Sequence, residues 1–220
     1  MPAGENSAAR SGRKAGTAAY VNGQETVARI LETARNLVIE AGMAGLSMRR
    51  VARELGISPG NLSYYYPSKA SLIEDMLTEV IDEYMREFER IRHIDGATPE
   101  EQLRGVVGFV FDDLQSRSTT HFFPELWVLA NRDPWAAEQM ERIYGLYRSV
   151  LVEIIVLMRP DLPVTDCEDL ALAISAGIEG HTVFVGHDRP HRAKHARLRQ
   201  LMLTHSVKMV QGAPSISNGE

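Results

Sequence analysis

The sequence predicts an all-α protein, and three observations carry that prediction. Apolar residues recur at three- and four-residue spacing along most of the chain, as the buried stripes of helices do. No stretch shows the strict alternation or the tight-turn signal of a β-hairpin. The punctuation is also helical, with Ser or Asn where stripes begin and Gly or Pro where they end.

The elements follow in order. Residues 1–22 lack an apolar period and read as a flexible, mildly basic arm. Asn22 is placed to cap the first helix, with Glu25 three residues on to reach back. Val27, Ile30, Leu31, Ala34, Leu37, Val38 and Ala41 form its stripe, and Gly42 stops it. Ser47 caps a second helix with Val51, Ala52 and Leu55 on its inner face, ended by Gly56. Ser58 caps a third, short helix that has Pro59 at its first position, where a missing N–H costs nothing. Leu62 and Tyr66 anchor it, Pro67 breaks it, and Ser68 caps a longer helix carrying Leu72, Met76, Val80 and Tyr84.

Further stripes run from Leu103 to Leu114, from Leu126 to Ala130 after Pro124, and from Ile143 to Met158 before Pro160. Two more span Asp166 to Gly186 and Arg192 to Val210, and residues 212–220 read as a flexible tail.

Bulk properties narrow the class. The chain has 220 residues, 44% of them hydrophobic, enough to bury a real core. The longest apolar run, Val150 to Met158, is too short for a membrane span and is interrupted by Glu153. Residues 1–16 lack the apolar stretch of a signal peptide, so a cytoplasmic location is expected. The lone Cys167 excludes an internal disulfide and a cysteine-only metal site. A net charge of -5 argues against indiscriminate coating of nucleic acid. Its distribution says more: residues 1–70 carry nine basic and five acidic side chains, leaving a net -9 on the other 150. One basic end on an acidic body suits a protein that turns only that end toward polyphosphate.

The stretch that carries chemistry is Ser47 to Lys69, SMRRVARELGISPGNLSYYYPSK. Two short helices joined by a glycine-containing turn match the helix-turn-helix, whose second helix enters the major groove by its N-terminal end. With Leu62 and Tyr66 turned inward, Gly60, Asn61, Ser63, Tyr64 and Tyr65 are left outward. Exposed tyrosines among small polar residues suit phosphate and base contacts, Ser58 opens the helix, and Gly60 lets the backbone come close.

The segment from Thr26 to Leu77 resembles the N-terminal domain of TetR-family regulators. The resemblance rests on Ser-x-x-x-Val-Ala-x-x-Leu-Gly-Ile-Ser followed by Leu-x-x-Tyr-Tyr-Pro-Ser-Lys, and covers about fifty residues. It implies that Ser47 and Arg49 touch phosphates or groove edges, and that Asn61, Ser63 and Tyr64 approach bases. Tyr65 and Lys69 would hold phosphates. Ser63 stands where the family often has Tyr, and Tyr66 where it often has Phe.

The resemblance implies a division into the arm, a three-helix DNA-binding domain over residues 23–68, and a helical ligand-binding and dimerisation domain over residues 69–211. The expected function is a sequence-specific regulator, a repressor released from a palindromic operator by a small-molecule effector. The alternative is an architectural or protein-interacting DNA binder on the same fold.

In the C-terminal part, the helix from Asp166 with its Gly177 and Gly180 and the last helix are the candidate homodimer interface. Phe109, Phe122, Phe123, Trp127, Tyr144, Tyr147, Glu179 and His181 are the candidate lining of an effector pocket, the default effector being apolar or amphipathic. His187, His191 and His195 stand four apart, but Pro190 intervenes and a solvated basic loop is preferred to a metal site. Asp112, Asp113, Glu125 and Asp133 could receive a cationic effector, though solvated faces are preferred. No phosphate loop, nucleophile elbow or metal-hydrolase motif stands in the sequence, so neither catalysis nor a cofactor is expected.

Overall fold

The computed structural model describes the backbone of residues 8–214 and the side chains of residues 23–214. Ten α-helices and no strand are found among the described residues: α1 (Ala8–Gly45), α2 (Met48–Leu55), α3 (Pro59–Tyr65), α4 (Lys69–Arg92), α5 (Pro99–Asp113), α6 (Arg117–Ala130), α7 (Pro134–Met158), α8 (Val164–Glu179), α9 (Thr182–Val185) and α10 (His195–Gly212). None is long and apolar enough to cross a membrane. The chain divides into two compact units, residues 1–76 and 77–220, and α4 contributes to both.

The first unit is built on the α1 stripe, with Ile30, Leu31, Ala34, Leu37 and Val38 buried. Gly42 breaks α1 by taking φ 70° and ψ 174°, a conformation that any side chain would resist. The Ser47 hydroxyl then accepts from the Arg50 N–H at 3.3 Å to start α2. Gly56, at φ 67°, ends α2 in the left-handed conformation, its N–H returning to the carbonyls of Ala52 and Arg53. Ser58 repeats the cap for α3 through the Asn61 N–H at 3.1 Å. Ser68 opens α4 reciprocally, each of Ser68 and Ser71 accepting the other's backbone N–H, at 3.0 and 3.3 Å. Val51, Ala52, Leu62, Tyr66, Leu72, Ile73 and Met76 complete this small core.

The second unit has a core of Phe88, Leu103, Val106, Val107, Phe111, Val150, Leu151, Ile154, Ile155, Ala171, Ile174 and Ile178, with Met202, Leu203 and Val207 packed in from α10. Thr120 ties three segments together here. Its hydroxyl donates to the Leu114 carbonyl at 2.9 Å and accepts from the His187 N–H at 2.8 Å. Arg159 closes the far end of α10 by donating to the carbonyls of Val210, Gln211 and Ala213 at 2.8, 3.2 and 3.1 Å.

Five boundaries differ from the sequence reading. No helix starts at Asn22, because α1 already runs from Ala8. Ala8, Ala9, Ala15, Ala18 and Ala19 carry the lowest helix cost of any residue, and no proline intervenes. Residues 1–7 of the expected arm and 215–220 of the expected tail lie outside the described residues. α6 begins before Pro124 rather than after it: Ser116 caps it through the Thr119 N–H at 3.0 Å, and Pro124 sits inside the helix. α7 begins well upstream of its apolar stripe, at Pro134, where the Asp133 carboxylate accepts from the Trp135 N–H at 3.0 Å. The stripe read as one helix to Gly186 is interrupted after Glu179, and the His181 ring closes on the Gly177 carbonyl at 2.6 Å. The last helix starts at His195, after a single tight turn over Arg192–Lys194.

Candidate nucleic-acid interface and small-molecule cavity

In the first unit α3 stands with one face in the core and one in solvent. Leu62 is wholly buried on one side, while Tyr64 on the other is 82% exposed. Gly60, Asn61 and Ser63 share the exposed side, as do Ser47, Arg49 and Ser58 around it. Tyr65 is partly buried and meets Tyr64 edge to face, ring centroids 5.2 Å apart. That contact fixes the direction of an otherwise free aromatic side chain. Tyr66 turns inward and its hydroxyl donates to the Asp75 carboxylate at 3.1 Å, which fixes α3 against the start of α4. Lys69 is less available than its neighbours: its ammonium donates to the Met43 carbonyl at 3.0 Å, and burial lowers its pKa.

In the second unit a small cavity of about 30 Å³ lies among α4 to α8, lined by Val80, Ile81, Tyr84, Val110, Leu114, Thr119, Phe123, Ile143, Tyr144, Tyr147 and Glu179. Two carboxylates bring polarity to this largely apolar wall. Asp113 accepts hydrogen bonds from the hydroxyls of Tyr84 and Thr119. Glu179 accepts from Tyr144, whose oxygen in turn accepts from the Trp127 indole N–H at 2.9 Å. Burial pushes the Glu179 carboxyl up to about 7; the Tyr144 bond opposes this and the charge of Asp113 adds to it. Burial likewise raises Tyr84 and Tyr144 well above the ordinary phenol value, with the Asp113 and Glu179 charges respectively adding to it. Rings surround these groups. Tyr84 meets Phe109 and Phe123 edge to face at 5.6 and 6.0 Å, and Tyr147 stacks on Phe88 at 5.5 Å.

Family comparison bears on both units. Residues 30–76 match the model of the bacterial regulatory proteins of the tetR family, and residues 99–210 match that of the BetI-type transcriptional repressor C-terminal domain. The chain belongs to the TetR family. Two relatives are named HTH-type transcriptional regulator BetI. The Stenotrophomonas maltophilia protein is 29% identical over 96 residues, covering 43% of this chain and 49% of that one. The Burkholderia cenocepacia protein is 26% identical over 155 residues, covering 70% and 78%. Among solved structures, a Rhodococcus transcriptional regulator superposes with a TM-score of 0.70 at 20% identity, over 85% of this chain and 97% of that one. A putative Saccharomonospora viridis regulator in complex with choline gives 0.64 at 22% identity, over 86% and 96%. At these identities the structural likeness is one of fold.

Within this TetR-family frame, the candidate pocket residues separate. Phe123, Tyr144, Tyr147 and Glu179 line the cavity, and Trp127 stands behind Tyr144 as its hydrogen-bond donor. Phe109, Phe122 and His181 do not line it. Phe109 packs edge to face on Tyr84 and Phe88, Phe122 is core beside Phe123, and His181 lies against Phe111 at 4.9 Å. Three of the four acidic candidates also disperse. Asp112 pairs with Arg199 at 2.7 Å and Asp133 caps α7, whereas Asp113 reaches the cavity edge through its hydroxyl partners.

The histidines go to separate tasks. His187 contacts the Gln115 carbonyl at 3.3 Å and His195 that of Phe111 at 3.1 Å, while His191 is exposed. Tyr84 and Thr119 were missed by sequence reasoning. Tyr84 lies on the α4 stripe like any core residue, and Thr119 sits in a polar stretch that carries no apolar stripe. The available signal was the acidic residue Asp113 closing a buried stripe, which demands hydroxyl partners from elsewhere.

Proposed function

We propose that the chain is a homodimeric repressor that holds a palindromic operator through α3 and is released by a small organic cation. The single observation that carries the DNA-reading half is the exposed face of α3, where Tyr64 stands in solvent beside Asn61 and Ser63. Groove-reading side chains are placed this way at the N-terminal end of a recognition helix. Arg49 at the start of α2 supplies sequence-independent attraction to phosphate.

The homodimer reading rests on apolar residues left in solvent on α8 to α10. Leu172 is 51% exposed, Phe184 60% and Leu201 56%. A two-fold pairing over that face presents two reading helices, so half-sites should lie about one helical turn, or a multiple, apart. A cytoplasmic location accords with this role.

The cation reading rests on the cavity. Glu179 in the wall and Asp113 behind the Tyr84 and Thr119 hydroxyls offer negative charge beside the rings of Tyr84, Phe123, Tyr144 and Tyr147. Ring faces attract organic cations, and desolvated carboxylates amplify the attraction. The choline held by the Saccharomonospora neighbour is a cation of this kind. α4 gives the route of release, because it begins in the first unit at Lys69 and carries Val80, Ile81 and Tyr84 into the cavity wall. A cation that binds a wider cavity better selects the arrangement of α4 in which the dimer no longer fits its operator.

The test is a selection of genomic fragments on the purified protein, followed by binding titrations with and without choline. One palindromic site, lost in Tyr64→Ala and weakened by millimolar choline, is expected. Recovery of no preferred sequence would overturn the regulator reading, and an operator affinity indifferent to choline and other organic cations would overturn the effector class.

A further inference from the structure

The cavity wall contains a hydroxyl with no partner. Tyr147 is buried, its ring held on Phe88 with 25° between planes, and its Oη makes no hydrogen bond. The polar groups around the same cavity are engaged with one another. Tyr84 and Thr119 donate to Asp113, and Tyr144 is shared between Trp127 and Glu179. Burial, together with the charge of Glu179, keeps the Tyr147 phenol protonated, so it stays a donor across the physiological range. A buried hydroxyl without a bond is unfavourable and uncommon in native proteins. Here it belongs to a residue of the cavity lining. A ligand that fills the cavity with carbon alone would seal the hydroxyl away from any partner, whereas one carrying an oxygen there would relieve it.

We propose that Tyr147 is a specificity-determining residue for the effector, donating to a hydroxyl or ether oxygen carried a short arm from the cationic head. The proposal rests on the cationic-effector reading above and adds to it a requirement for an oxygen at a defined place. Rejection of an analogue lacking that oxygen follows from the stranded donor, which is how polar sites discriminate most sharply. Glu179 and the rings hold the charge, and Tyr147 reads the other end.

The experiment is calorimetric titration of the full chain with choline and with propyltrimethylammonium, in which a methyl group replaces the choline hydroxyl. Both are titrated into the wild type and into Tyr147→Phe. The wild type should prefer choline on the order of tenfold. The variant should bind the two cations about equally, while holding propyltrimethylammonium as well as the wild type does, which also reports that its cavity is folded. Equal affinities in the wild type, or a preference that survives in Tyr147→Phe, would overturn the proposal while leaving the cationic reading standing. Binding of neither cation by the wild type would overturn both, and is told apart by the absence of any heat of binding.

Discussion

Replacing Glu179 by glutamine separates charge from shape at the cavity wall. Burial moves the wild-type carboxyl from 4.5 to about 7, so the ionised form is more at ease in the unfolded chain than in the folded one. Because the folded pKa is the higher of the two, the contribution of Glu179 to stability is whole below 4.5 and is lost as the pH rises through about 7. At about 1.36 kcal/mol for each pH unit between the two values, the full loss is about 3 kcal/mol. Glutamine keeps the acceptor for Tyr144 and carries no proton to lose. Urea unfolding of ligand-free wild type and Glu179→Gln should therefore show the variant gaining about 2 kcal/mol on the wild type between about pH 5.5 and about pH 8.5. Saturating choline should shrink that gain, because a bound cation stabilises the ionised wild-type carboxylate. A difference independent of pH, or one that moves toward the wild type on raising the pH, would refute the reasoning.

Other predictions follow from single groups. Tyr64→Ala removes an exposed side chain and should leave the unfolding midpoint within about 0.5 kcal/mol, while operator affinity measured by fluorescence anisotropy falls at least about tenfold. Tyr147→Phe removes an unpaired buried hydroxyl and should raise the stability of the ligand-free protein by about 1 kcal/mol in the same urea assay. Gly186→Ala places a methyl 2.5 Å from the Thr120 hydroxyl and 2.8 Å from the Thr182 carbonyl. It should lower stability by about 1–3 kcal/mol, read as a lower thermal midpoint. Leu172→Asp with Leu201→Asp should disrupt the proposed dimer, giving a monomer by sedimentation velocity, and operator affinity should fall with it.

The helices of the first unit were legible because each boundary is written locally. Ser47, Gly56, Ser58 and Ser68 each stop or start a helix through their own side chain or backbone conformation, and a reader needs only the neighbouring residues to see it. The outward set on α3 followed from the helical period alone. Where the reading fell short, the deciding partner was distant or the local signal pointed two ways. Pro124 reads as a boundary, yet it lies inside α6, which the Ser116 cap and the packing of Phe122 and Phe123 sustain. Asn22 reads as a cap, yet the alanines before it carry the helix through. The cavity was half legible. Tyr144, Tyr147 and Glu179 stood out as polar or aromatic residues on apolar stripes. Tyr84 and Thr119 acquire meaning only from Asp113, which lies 29 residues from the first and 6 from the second. Such pairings depend on how α4, α5 and α6 meet, and no period in the sequence records that.

The proline within α6 bears on how so small a cavity would admit the proposed effector. Pro124 has no N–H, so the rung that would join it to the Thr120 carbonyl is missing from the helix ladder. Thr119 and Phe123, which line the cavity, flank that gap. The other walls would have to break intact helical ladders or slide whole helices through a packed core to make room. α6 can instead flex at a joint it already possesses, swinging Phe123 outward while the Ser116 end stays anchored. The free energy spent on flexing would be subtracted from the proposed effector's affinity, so its dissociation constant would report the stiffness of this joint as well as the quality of the contacts. Filling in the missing rung with Pro124→Ala would stiffen the wall, and the same effector would then be felt only at higher concentration.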